Sequence, residues 1–535
     1  METRFRSIVC CLLVSALMIA GFGLCVFAQQ RGGTLTYYRN DPPDNLDPQR
    51  TTLVPALEIT EMMSATLVQY DRSLRPVPYL AESWESSADG KTWRFTLKPG
   101  LLFHDGTSVD AEAVKFTFER GMDSAYLTSA WPAIKEIVVV DDLTFELLFD
   151  APQPELLLAL SHEALSILSP AAVEEYGDDH GILDMVSCGP YRFDKFIPGD
   201  RVELVRFDEF TWGPEFLENE GPGYFDRIVI QYIPEVLASV LEFQRGDHCV
   251  LRYVPVSERD SVLSMEGVQV VDAIEPGIKY LNFNVSKWPF TDELIRRAIT
   301  LGINREELLS YWEGGAVLAY GPISSTQLYY WPGVETYEGG PKYDPVEAEN
   351  LFIQAGWEKG ADGIFVETAT GKRASFELWR PSSPANDVPT SEIIKEQLRQ
   401  IGVDVQILMM EPGTLSQARG EGRHELFQWG YKWTDAPGGL AFLYSSANIG
   451  RSNSNHWNSP EMDAFLETAR TSLDAEERYA AVANAVKLVL DEAVTIPLWS
   501  SVTQWAATPD VGGVEALAAH PWHPYFVEVL ELYAR

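Results

Sequence analysis

Residues 67–121 read LVQYDRSLRPVPYLAESWESSADGKTWRFTLKPGLLFHDGTSVDAEAVKFTFERG. Within them KTWRFTL, residues 91–97, alternates apolar and polar side chains as a half-exposed strand does, and Asp89-Gly90 supplies its turn. FHDGT, residues 103–107, is a second turn, leading to Asp110, an N-cap for a helix whose apolar face includes Val114 and Phe118. Strand, turn and helix in one stretch predict a fold that mixes α and β.

Working outward, Thr34 to Tyr38 is a strand rich in β-branched and aromatic residues, TFELLF (144–149) is another, and GPYRFDKF with DRVELVRF (189–207) predicts a hairpin turning at Pro198-Gly199-Asp200. Beyond residue 285 helices alternate with strands. Asp344 caps a helix that starts at Pro345 and stops at Gly356. SEIIKEQLRQIGVDVQI (391–407) runs as a helix to Gly402, then switches to the period of two of a strand. SPEMDAFL (459–466) and DAEERYAAVANAVKLVL (474–490) each open with a capping residue and an acidic first turn. No repeat, heptad or low-complexity tract interrupts this. The expectation is an α/β protein of at least two lobes.

Arg4 and Arg6 precede an apolar run from Ile8 to Phe27, and Val26-Phe27-Ala28 fits the positions before a cleavage site. This grammar predicts a signal peptide over residues 1–28, cleaved after Ala28 to give a periplasmic protein. A retained membrane anchor stays open, because the run is long enough to span a bilayer. The net charge of −37 repels nucleic acid and anionic lipid but names no ligand. Only Cys188 and Cys249 lie outside the signal, and one disulfide or two buried thiols fit them equally.

The chain has no GxSxG elbow, no HExxH and no phosphate-cradling GxxxxGK, which counts against an enzyme; a secreted hydrolase built on paired carboxylates stays open because such pairs have no fixed spacing. His520 and His523, in HPWHP, are split by Pro521 and Trp522 and make a poor metal pair, with a nickel or haem role left as a minor option. No metal or cofactor is expected. QWGYKW (428–433) sets Trp429, Tyr431 and Trp433 at period two, on one face of a strand, either as a core stripe or as a stacking wall for a ligand. Asp435 follows, between aromatics and a Pro-Gly-Gly run; its bland reading is a solvated loop or helix-capping carboxylate.

The 67–121 block resembles the signature region of the family 5 extracytoplasmic solute-binding proteins of ABC transporters, the peptide, nickel and related binders. So do GGTLTYY and NLDP near the start, CGPYRF (188–193), YLNFNVSKWPFTDELIRRAITLGINREELL (280–309), EIIKEQLRQIGVDVQI and EAVTIPLW (492–499). The resemblance covers nearly the whole chain after the signal. It implies a monomeric, two-lobed periplasmic-binding-protein-like fold of type II, cluster C, with an additional domain and hinge crossovers. Lobe I would comprise 32–72, 188–282 and 505–535, the additional domain 73–187, and lobe II 283–504, with crossovers near 277–285 and 499–507.

The implied function is capture of a small ligand, a di- or oligopeptide above all, between closing lobes, and delivery to an ABC permease and its ATPase. In peptide-binding members an aspartate after a Trp accepts the ligand ammonium, which maps to Asp435 ahead of Phe442-Leu443. The Arg-Pro segment of dipeptide binders, whose arginine holds the ligand carboxylate, maps to Arg380 in RPSSPAN. The pattern departs in two places: Trp433 lies two residues before Asp435 rather than three, with Lys432 at the third position and able to pair with Asp435, and no second acid follows. An oligosaccharide or opine in the same cleft is the alternative, with Trp429, Tyr431 and Trp433 stacking on sugar rings while Asp435 and Asn386 bond hydroxyls. A sensing rather than transporting role stays open.

Overall fold

In the computed structural model, which describes residues 29–124, 132–382, 388–521 and 527–535, Thr92–Leu97 is a strand that buries Trp93, Phe95 and Leu97 on one face. Gly90 takes φ 66° in the turn before it, a conformation that strains any residue with a Cβ. The Asp110 carboxylate accepts from the Ala113 N–H at 2.9 Å and caps the helix Ala111–Met122, which buries Val114 and Phe118. Four antiparallel strands, in the order Ala81–Ser86, Thr92–Leu97, Thr144–Leu148 and Glu136–Asp141, form a small sheet. Its core takes in Phe95, Phe118 and Phe145, each worth roughly 1.5–3 kcal/mol on burial, and also Cys188, Phe207, Trp212 and Leu530 from distant segments.

The main sheet has twelve strands. On one side of Thr495–Ala507 lie Gly277–Phe283, Leu426–Lys432, Ser375–Pro381 and Asp404–Met410; on the other lie Cys249–Arg252, Thr34–Arg39, Arg227–Tyr232, Arg201–Arg206 and Tyr191–Ile197. The last two form the hairpin expected around Gly199, which takes φ 75°. Thr495–Ala507 itself pairs with Gly277–Phe283 through its first residues and with Gln269–Ile274 through its last. One strand therefore belongs to both halves, and separate cores flank them, one gathered around Phe283, Ile299 and Phe376 and another around Leu35, Leu204 and Ile228.

The expected caps of the second half are in place. Asp344 accepts from Glu347 N–H, Ser459 from Met462 N–H, and Asp474 from Glu476 N–H. Gly356 and Gly402 take φ 84° and 87° where two helices stop. In the other half, Glu58 on the helix Val54–Met63 is buried between Arg39 at 2.8 Å and Arg252 at 2.5 Å. This ion triad ties a helix to two strands of the sheet.

Cys188 and Cys249 are free, buried and in different cores, so the bridge left open by the sequence is not formed. Burial pushes both thiols up to about 12. His520 is buried, with Nε2 3.0 Å from the Tyr70 carbonyl, and His523 lies outside the described residues. Among the described residues no group of three or more His, Cys, Asp or Glu is placed to hold a metal, and no helix is long and apolar enough to cross a membrane. The expected signal, residues 1–28, lies outside the described residues.

Candidate functional site

The strand Leu426–Lys432 ends three residues before Asp435, and the helix Ala436–Tyr444 begins immediately after it. The Pro-Gly-Gly run is thus the first turn of a helix. Pro437 needs no N–H partner there, and the Asp435 carboxylate accepts from Gly438 N–H at 2.6 Å. Backbone bonds pin this junction, with Leu328 N–H donating to the Thr434 carbonyl and Ala436 N–H to that of Leu328, both at 2.9 Å.

Asp435 is a cap, but not a solvated one, for it is only 9% exposed. Burial is the main cause that holds its carboxyl up at about 6; the Gly438 N–H opposes this, the Glu155 charge adds to it, and a hydrogen bond from the Trp433 indole opposes it again. That last bond depends on Gly438, where a Cβ would fall 2.2 Å from Trp433 Nε1. Among the described residues no basic side chain forms an ion pair with Asp435. Lys432, the sequence neighbour that could have done so, instead meets Glu275 at 2.7 Å. A buried carboxylate without a cation is costly when charged, and an arriving ammonium removes that cost.

The aromatic residues divide. Tyr431 is buried in the core with its hydroxyl donating to the Pro322 carbonyl at 2.6 Å, so it is a core residue. Trp429 is half-buried and stacks on Phe427. Trp433, beyond the strand end, stacks on Phe442 at 5.3 Å between ring centres. Arg380 is 2% exposed and donates to Ser391 Oγ at 2.7 Å. Asn386 lies outside the described residues.

Phe442 also lines a cavity of about 650 Å³, together with Gln417, Arg419, Asn448, Arg451 and Ser452. Sequence reasoning missed Arg419. Its guanidinium lies over the Phe427 ring at 5.2 Å, its Nε is buried without a hydrogen-bond partner, and burial lowers its pKa with no carboxylate opposing it. No local pattern announces this, because what distinguishes Arg419 is the lack of an acid around it in space. The Trp433–Phe442 stack thus separates a buried carboxylate from a cavity edged by a guanidinium that forms no ion pair among the described residues.

Residues 75–451 match the family model described as bacterial extracellular solute-binding proteins, family 5 Middle. The glutathione-binding protein GsiB of Pectobacterium atrosepticum is 27% identical, covering 81% of this chain and 82% of the relative. The dipeptide-binding protein of Escherichia coli is 24% identical, covering 94% and 96%. Among solved structures, the periplasmic binding protein DppA of Helicobacter pylori in complex with the peptide STSA superposes with a TM-score of 0.73 at 24% identity, covering 94% of this chain and 98% of that one. NikA of Brucella suis in complex with Fe(III)-EDTA gives 0.82 at 21%, covering 94% and 100%. The fold is the two-lobed one of these binding proteins. A match over residues 75–451, well over half of the chain, places this protein in a family: it belongs to the bacterial extracellular solute-binding proteins of family 5.

Proposed function

We propose that the protein is the peptide-capturing component of an ABC importer, closing two lobes on a di- or oligopeptide and handing it intact to a membrane permease driven by an ATPase. The lobes follow the division set out above, with 1–28 as the export signal. One observation carries the reading: a buried carboxylate and a cavity edged by a guanidinium, neither forming an ion pair among the described residues, are linked through the Trp433–Phe442 stack. A zwitterionic peptide brings the two missing charges, an ammonium for Asp435 and a carboxylate for the cavity. Arg419 suits the carboxylate better than Arg380, whose side chain is enclosed and engaged with Ser391. The names of the relatives, glutathione- and dipeptide-binding, support the same class.

The test is mass spectrometry of the small molecule released when protein purified without added ligand is denatured. A peptide is expected. A sugar, an opine or a hydrolysed product overturns the reading, the last in favour of an enzyme.

A further inference from the structure

The sequence offers Asp435 no second acid along the chain, yet the fold delivers one from elsewhere. Glu155 stands just before the helix Leu156–Leu160, whose Leu156 and Leu160 belong to the core of the small sheet. Its carboxylate crosses to the other half of the molecule. There Glu155 Oε1 accepts from the Tyr329 hydroxyl at 2.8 Å and meets Arg478 Nε at 2.9 Å. Arg478 also donates through Nη2 to the Tyr329 hydroxyl at 2.7 Å. Tyr329 holds φ 65°, a strained value for an aromatic residue, and directly follows Leu328, whose backbone bonds to both sides of Asp435.

The Glu155 charge bears on Asp435, and the Tyr70 phenol is raised first by burial and then by Glu155, Tyr329 and Asp435 in turn. Arg478 is the cation that pairs with Glu155. The exposed Arg470 is the cation whose charge bears on Asp435, without forming an ion pair with it. Asp435 thus has no ion-pair partner among the described residues, and a single ammonium supplies one.

We infer that Glu155 is the second carboxylate of the amine site, brought by the opposite half of the molecule and passed from Arg478 to the ligand ammonium as the halves close. This rests on the reading of Asp435 as the amine acceptor. Specificity follows from the exchange: a ligand without an amine leaves Glu155 on Arg478 and gains nothing from it.

The experiment titrates alanine peptides of two to five residues, each free and N-acetylated, into the wild type and into Glu155→Gln, Arg478→Met and Asp435→Asn, with unfolding midpoints measured on all four. Glu155→Gln should bind free peptides at least tenfold more weakly and leave acetylated ones unchanged. Arg478→Met should act in the opposite direction, tightening free peptides several-fold, because Glu155 then has no cation to give up. A merely structural latch predicts weakening in both variants, and that result overturns the proposal. So does a Glu155→Gln variant within twofold of wild type while Asp435→Asn fails to bind, an outcome that leaves the amine site standing. Acetylated and free peptides binding the wild type equally, or no peptide binding it at all, removes the amine site itself and the proposal with it.

Discussion

Asp435 answers two demands at once, capping a helix and standing ready for a cation, and pH separates them. Its folded pKa, about 6, lies above the ordinary aspartate value. The protonated form therefore contributes stability that is complete below about pH 4 and is lost as pH rises through 6. Asparagine also caps a helix and never ionises. Asp435→Asn should thus match the wild type in denaturant unfolding at pH 4 and exceed it by about 1–3 kcal/mol at pH 8. A difference that does not change between the two pH values would refute the buried charge. The same substitution should weaken a free-amine peptide by about 2–5 kcal/mol, and a loss under about 0.5 kcal/mol would sink the amine assignment. Asp435 was legible as a candidate because strand, aromatic residue, acid and Pro-Gly-Gly follow one another directly between Leu426 and Gly439. Arg419 was missed and Arg380 named in its stead only by resemblance, since a guanidinium's role depends on which distant groups enclose it.

The junction of strand Leu426–Lys432 with helix Ala436–Tyr444, pinned by the Leu328 backbone and the Asp435 cap, also depends on a close approach of the Trp433 indole to Gly438. Alanine normally stabilises a helix by about 1 kcal/mol over glycine. Here Gly438→Ala should instead lower stability by about 1–3 kcal/mol, because the new methyl displaces the indole from the Asp435 carboxylate; a more stable variant in urea would show that Trp433 moves aside without loss. The elements themselves were readable for the reason that capping is local. Asp110, Asp344, Ser459 and Asp474 each bond within three residues of themselves. The period-two reading of Trp429, Tyr431 and Trp433 was only partly useful, as Tyr431 is core and Trp433 lies past the strand end.

For the molecule as a whole, stability rests on contacts that no window of sequence displays. Glu58, Arg39 and Arg252 are each at most 3% exposed, so Glu58→Gln leaves two guanidinium groups buried without their shared carboxylate. The expected loss is about 3–5 kcal/mol in chemical unfolding, and a loss under about 1 kcal/mol would show the arginines reaching water. Cys188 and Cys249 should resist maleimide in the native protein and both react once it is unfolded, with no effect of reductant on the melting temperature.

The strand Thr495–Ala507 has a consequence for how the molecule is made. Side chains of the strand and of the residue just after it bond to residues 213 and 259 positions earlier, as at Thr495 with Asn282 and Thr508 with Cys249. A polypeptide emerging in order from a ribosome or a translocation channel holds two part-sheets, one edged by Gly277–Phe283 and the other by Cys249–Arg252, until that strand arrives. The joining of the two halves into one sheet therefore comes after all their other strands have been made.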